Sequence, residues 1–219
     1  MTIRITTRRA LVLALGLLGS VPGWAVDLPA AAQQWSVPQQ QWLVLNRLGY
    51  GPSPDSVTRI QQLGVSAYID QQLQPQQLPE ARQTRQLLAT QPWLDWPAAR
   101  IMARLYQTGQ AAGEGISDPK ARQLAVRTAT NQQSRQLFML AQKLRLTEAI
   151  SSPRQLEARL TEFWFNHFNV FGPLGSIQAT LGQYERQVIR PRVLGRFEDL
   201  LLATARSPIM LTYLNNEKS

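Results

Sequence analysis

Histidine occurs once in the 219 residues, at His167. An imidazole titrates near neutral pH and ligates zinc, copper or iron, so general-base or metal chemistry would be centred there. His167 lies in the run LTEFWFNHFNVF, residues 160–171, five of which are aromatic. Wound as a helix, the run puts Leu160, Phe163, Trp164, His167 and Phe171 on one stripe, with Glu162, Asn166 and Asn169 opposite. The candidate catalytic set is His167, Asn166 and Glu162. Glu185 is a second carboxylate on a later helix, and with Glu162 it is a conceivable acid/base pair, although a solvated role is the simpler reading for both.

A protein-bound metal needs about three ligands of suitable type. The local choices are Glu162, Asn166, Asn169 and Glu185, and none has the spacing of a metal motif, so the metal stays unknown and no cofactor is specified. The plainer reading of His167 is a core residue on a buried aromatic face, bonded to a carbonyl or a neighbouring helix. Asn166 and Asn169 read equally as caps near the helix end. Glu185, Arg186, Arg190 and Arg196 read as an ion network between helices.

The elements that must position these residues read as helices throughout. Expected helical segments are 39–48, 54–63 with Gly64 as the stop, a short one capped by Ser66, 78–90 and 92–107. Gly109, Gly113 and Gly115 mark an exposed loop over 109–115. Ser117-Asp118-Pro119 opens a long segment through Leu146, with a break expected near 128–132. Ser152-Pro153-Arg154-Gln155 reads as a capping box with proline at the first helical position. A turn at 171–176 leads to helices over 177–189, 195–206 and 207–214. No alternating strand pattern interrupts them. The fold class is all-α, an irregular multi-helix bundle.

Composition narrows the function. The chain is 44% hydrophobic with 17% charged residues, enough for one domain with a sizeable core. Cysteine is absent, which excludes disulfides and thiolate metal sites. The net charge is +9, yet the arginines are spread along helices with no basic stripe of interleaved aromatics, so nucleic acid is not an expected partner. No phosphate-binding loop, GxGxxG or GxSxG motif occurs.

Residues 1–25 have the shape of an export signal. Arg4, Arg8 and Arg9 precede an apolar run over 10–18, and Gly23-Trp24-Ala25 places small residues at a cleavage site. That run is too short to span a membrane, which takes ~20 apolar residues. The expected layout is a signal peptide at 1–25, a flexible leader at 26–38 and a helical domain at 39–219. The expected location is periplasmic or secreted, by the general secretory route or, since Thr7-Arg8-Arg9-Ala10-Leu11 resembles its motif, the twin-arginine route.

Several motifs carry a family resemblance. They are LNRLGYGP at 45–52, FWFNHF at 163–168, YERQVIRP at 184–191, LGRF at 194–197, SPIML at 207–211 and YLNN at 213–216. Together they resemble the family called domain of unknown function 1800. The resemblance implies a bacterial, commonly exported, mainly helical protein with no agreed activity. Many members have a second histidine where this chain has Phe165, and an aspartate where it has Asn215. Members also usually continue beyond the position of Ser219, so the chain is expected to be an N-terminal portion. The expected function is an exported envelope protein of unknown activity, an interaction module meeting a partner protein or an envelope polymer. The alternative is a periplasmic metal-assisted or hydrolytic enzyme that uses His167 with residues from the further part.

Overall fold

Ser36 starts the first helix: its backbone N–H donates to the Gln39 side chain at 2.9 Å, and the helix α1 (Val37–Leu48) begins two residues earlier than expected. The structure is a computed structural model, and it describes residues 35–170 and 175–216. The expected export signal, most of the expected leader and residues 171–174 of the turn expected at 171–176 lie outside the described residues. The described residues hold helices and no strand, as the all-α reading requires.

Helix α2 (Pro54–Gln72) is capped by Ser53 Oγ, which accepts from the Ser56 N–H at 3.2 Å. Gly64 breaks it at φ 76°, where a kink divides two helical arms, as the sequence predicts. Helix α3 (Arg82–Thr90) and a short turn at Pro92–Asp95 follow.

Helices α4 (Ala98–Gly113) and α5 (Pro119–Ser151) correct two expectations. The glycines at 109 and 113 are not in a loop; they are buried on the inner face of α4. A Cβ at Gly109 would lie 3.0 Å from Val126 Cγ1 and Thr130 Cγ2, and one at Gly113 would lie 3.0 Å from Val126 Cγ2. Small residues there let α4 lie close against α5. The expected break near 128–132 is also absent, and α5 runs unbroken for 33 residues. Its polar threonine is accommodated within the helix, since Thr130 Oγ1 donates to the Val126 carbonyl at 2.9 Å.

The supposed capping box at 152–155 ends one helix rather than opening the next. The Ser152 N–H closes α5 on the Glu148 carbonyl at 2.9 Å, and Gln155 Nε2 donates back to the Ser152 carbonyl at 2.8 Å. Helix α6 (Gln155–His167) takes its first support from α2, where buried Gln72 accepts the Leu156 N–H at 3.1 Å and donates to the Pro153 carbonyl at 2.8 Å. Helix α7 (Gly175–Gln183) continues as a π-helical turn over Tyr184–Ile189 and a tight turn over Arg190–Arg192. Helices α8 (Phe197–Ala205) and α9 (Pro208–Tyr213) complete the described chain, and Ser207 Oγ caps α9.

Helix α6 does run through the main core, but on a different face from the one expected. Leu156, Leu160 and Phe165 pack with Leu48, Leu181, Tyr184, Ile189, Leu200 and Ile209. Compared with the stripe expected from the aromatics, the buried arc is turned by about one residue step, roughly 100°. Thr161 and Phe165 are therefore inside, while His167 is exposed and Phe163 is 38% exposed. The inward-facing imidazole is thus corrected to a surface one. Trp164 and Phe168 pack half-buried against the edge of this core.

Candidate functional site

The three candidate residues do not converge. His167 and Asn166 are exposed, and Glu162 points to a different neighbourhood. Glu162 Oε2 accepts from Arg159 at 3.1 Å and also faces the Tyr50 hydroxyl. Tyr50 comes from the LNRLGYGP stretch, whose turn sets its N–H 3.2 Å from Gln155 Oε1. Its hydroxyl donates to the Ala158 carbonyl at 3.3 Å, and burial, then the nearby charge of Glu162, hold the Tyr50 phenol well above its ordinary titration range.

His167 belongs instead to a surface array of rings. Trp164 lies 5.4 Å from it and Phe168 4.9 Å, both edge-on, while Phe163 stacks at 6.4 Å. Phe197, at the start of α8, extends the array: it is 5.6 Å from Trp164, 6.4 Å from Phe168 and 54% exposed. Leu201, one turn further along α8, is also exposed. The rim is polar, with Asn166 on α6 and the Arg196–Glu198 pair at 2.5 Å beside Phe197.

A cavity of about 270 Å³ lies on the other side of Phe165. Helix α5 lines it with Phe138, Ala141, Gln142 and Arg145, residues spaced to fall on one helical face. Gln178, Leu181, Gly182 and Glu185 repeat that spacing on α7 and its π-helical turn. Gly182 makes the approach possible, since a Cβ there would stand 2.5 Å from the Ala141 Cβ. Asn169 and Val170, just past α6, close the third side.

One ion pair sits in this cavity. Arg145 Nε donates to both oxygens of Glu185, at 3.1 and 3.0 Å, and its Nη2 donates to Oε2. The guanidinium also lies 4.3 Å over the Phe165 ring. Burial alone would lower the Arg145 pKa, but Glu185, with help from Glu162, outweighs it and holds the group above its ordinary value. Glu185 is therefore buried and paired, which corrects the solvated reading, and it shares Arg145 and Tyr50 with Glu162 as electrostatic neighbours.

The ion network between helices exists with different acids. Arg190 bridges Glu148 at 2.6 Å and Glu157 at 3.1 Å, while Arg186 bridges Glu148 at 3.2 Å and Asp95 at 2.8 Å. Burial raises the Glu148 carboxyl above its usual range, against the pull of both arginines. Arg196 stays outside the network, on the surface with Glu198. Tyr50, Arg145 and Glu148 were not singled out in the sequence. The matched spacing 138/141/142/145 and 178/181/182/185, with Ala141 facing Gly182, is the signal that could have found the cavity. Among the described residues, no group of three His, Cys, Asp or Glu side chains could hold a metal ion.

The motifs that pointed to a family are spread over these elements, and the model of one family, described as a protein of unknown function (DUF1800), matches residues 43–219. The chain belongs to this family. The matched span takes in the second half of α1, α2 to α9, the cavity and the ring array, so both features sit within the DUF1800 domain. No curated protein and no solved structure matches the chain.

Proposed function

We propose that this DUF1800 protein is an exported interaction module of the bacterial envelope, and that it contacts a partner protein through the ring array of α6 and α8. The observation that carries the reading is the array itself: Phe163, Trp164, His167, Phe168 and Phe197 form a continuous set of rings, several of them open to solvent. Aromatic residues surrounded by polar groups are the usual anatomy of a protein interface, where a few such anchors supply most of the affinity. The basic, apolar and small-residue order of the N-terminus supports export. No helix among the described residues is long and apolar enough to cross a membrane.

The test is photo-cross-linking in the native bacterium. A cross-linking residue at position 163 or 201 should give one defined protein adduct in the envelope fraction, and one at the exposed Tyr106 on α4 should not. The same fractionation should recover a mature chain beginning at Val26. Equal adducts from all three positions, or co-sedimentation with wall polysaccharide in place of a protein adduct, would overturn the reading.

A further inference from the structure

The cavity between α5, α6 and α7 has no part in the ring-array reading, and its chemistry points to a small ligand of a definite kind. Its volume of about 270 Å³ suits one compact molecule. Phe138, Ala141, Val170 and Leu181 form apolar walls, and among the described residues that line it the only charged ones are Arg145 and Glu185.

Those walls and that pair exclude most ligand classes. A sugar carries hydroxyls around its whole ring, and the apolar walls would leave several of them unbonded at a cost of a few kcal/mol each, on the order of 1–3. A purely apolar molecule would gain nothing from the charged end. A lone anion would meet the Glu185 carboxylate, and a lone cation the Arg145 guanidinium, each desolvated beside a like charge. A ligand with both charged groups attached to one carbon and an apolar tail fits every wall.

The pair also has capacity to spare. Arg145 uses Nε and Nη2 on Glu185, so its Nη1 remains as a donor. Glu185 Oε1 takes a single hydrogen bond where Oε2 takes two, so it can accept another. We propose that the cavity binds a free α-amino acid with an aliphatic side chain, its ammonium on Glu185, its carboxylate on Arg145 and its side chain against Phe138, Val170 and Leu181. Gln142 and Asn169, both exposed at the mouth, flank the ligand's head group.

Isothermal titration of the full chain with leucine tests the proposal. 4-Methylpentanoate lacks the ammonium, isoamylamine lacks the carboxylate, and glucose represents the sugar class. Leucine should bind at least tenfold more tightly than 4-methylpentanoate or isoamylamine, and glucose should give no heat. Gln142→Glu, an exposed change that leaves the core intact, should weaken leucine at least tenfold through repulsion of its carboxylate, without weakening isoamylamine. Phe163→Ser with Phe197→Ser should leave leucine binding unchanged, so failure here is separable from failure of the ring-array reading. Absence of leucine binding at millimolar concentration, leucine no tighter than its one-charge analogues, binding of glucose, or leucine affinity indifferent to Gln142→Glu would each overturn the proposal.

Discussion

His167 shows how much a single residue's setting changes its meaning. As a core imidazole it would leave a bonding partner unsatisfied when removed. At the surface it should be nearly silent for stability, so His167→Ala is expected to cost no more than about 0.5 kcal/mol in chemical denaturation while weakening partner cross-linking. Glu148 is the opposite case. Its side chain is 7% exposed and two guanidiniums converge on it, while Arg190 Nη2 already lacks a partner. Glu148→Ala leaves Arg190 with Glu157 alone and Arg186 with the exposed Asp95 alone, and should cost about 1.5–3 kcal/mol. Glu198→Ala, at a pair that is 76% and 63% exposed, should cost ~0–1 kcal/mol under the same denaturation, so the two acids separate buried from exposed pairing.

Tyr184 gives the pH dependence its sign. It is fully buried, its hydroxyl donates to the Phe168 carbonyl at 3.1 Å, and burial pushes its phenol from 10.0 up to about 12. The folded-state value lies above the unfolded one, so the neutral form stabilises the fold below pH 10.0, and that contribution is lost as pH rises towards about 12. Absorbance at the tyrosinate band should show this phenol still neutral at pH values where an unfolded tyrosine has ionised. Tyr184→Phe should remove that part of the alkaline loss of stability.

At the scale of elements, close approach decides both the bundle and the cavity. Helix α7 meets α5 where Gly182 faces Ala141, and no Cβ fits between them at 2.5 Å. Gly182→Ala must push the helices apart, at a cost of about 1–3 kcal/mol read from thermal or chemical unfolding. An unchanged midpoint would show that the two helices can separate freely there. Helix existence was legible from spacing and punctuation: Gly64 breaks α2 and Asp118 opens α5 as the sequence suggests, and the structure adds Ser53 and Ser207 as caps of α2 and α9. The failures have one cause. Glycines at 109 and 113, threonine at 130 and the Ser152–Gln155 run were read by local propensity, but tertiary neighbours set their roles: packing for the first two, an unbroken helix at Thr130, and a cap on the preceding helix for the last.

For the whole molecule, the sequence identified the family and the helical architecture, and it located the segment at the centre of the core. It did not orient that segment, because an aromatic-rich helix can satisfy periodicity with more than one face. Leu156, Leu160 and Phe165 took the inner seam, Trp164 and Phe168 pack half-buried against it, and Phe163 and His167 were left outside. Nor did spacing reveal the Arg145–Glu185 pair, whose members are 40 positions apart and meet only through the packing of α5 on α7. The surface array and the cavity are consequences of that packing rather than of any local motif.

Because His167 is the only histidine, its carbethoxylation by diethylpyrocarbonate reports one site without ambiguity. The folded protein is expected to react without prior denaturation, because the ring is exposed, and the rate should fall when the cross-linked partner is bound. An imidazole that resists the reagent until the chain is denatured, or that reacts equally fast in the complex, would contradict the assignment of this face.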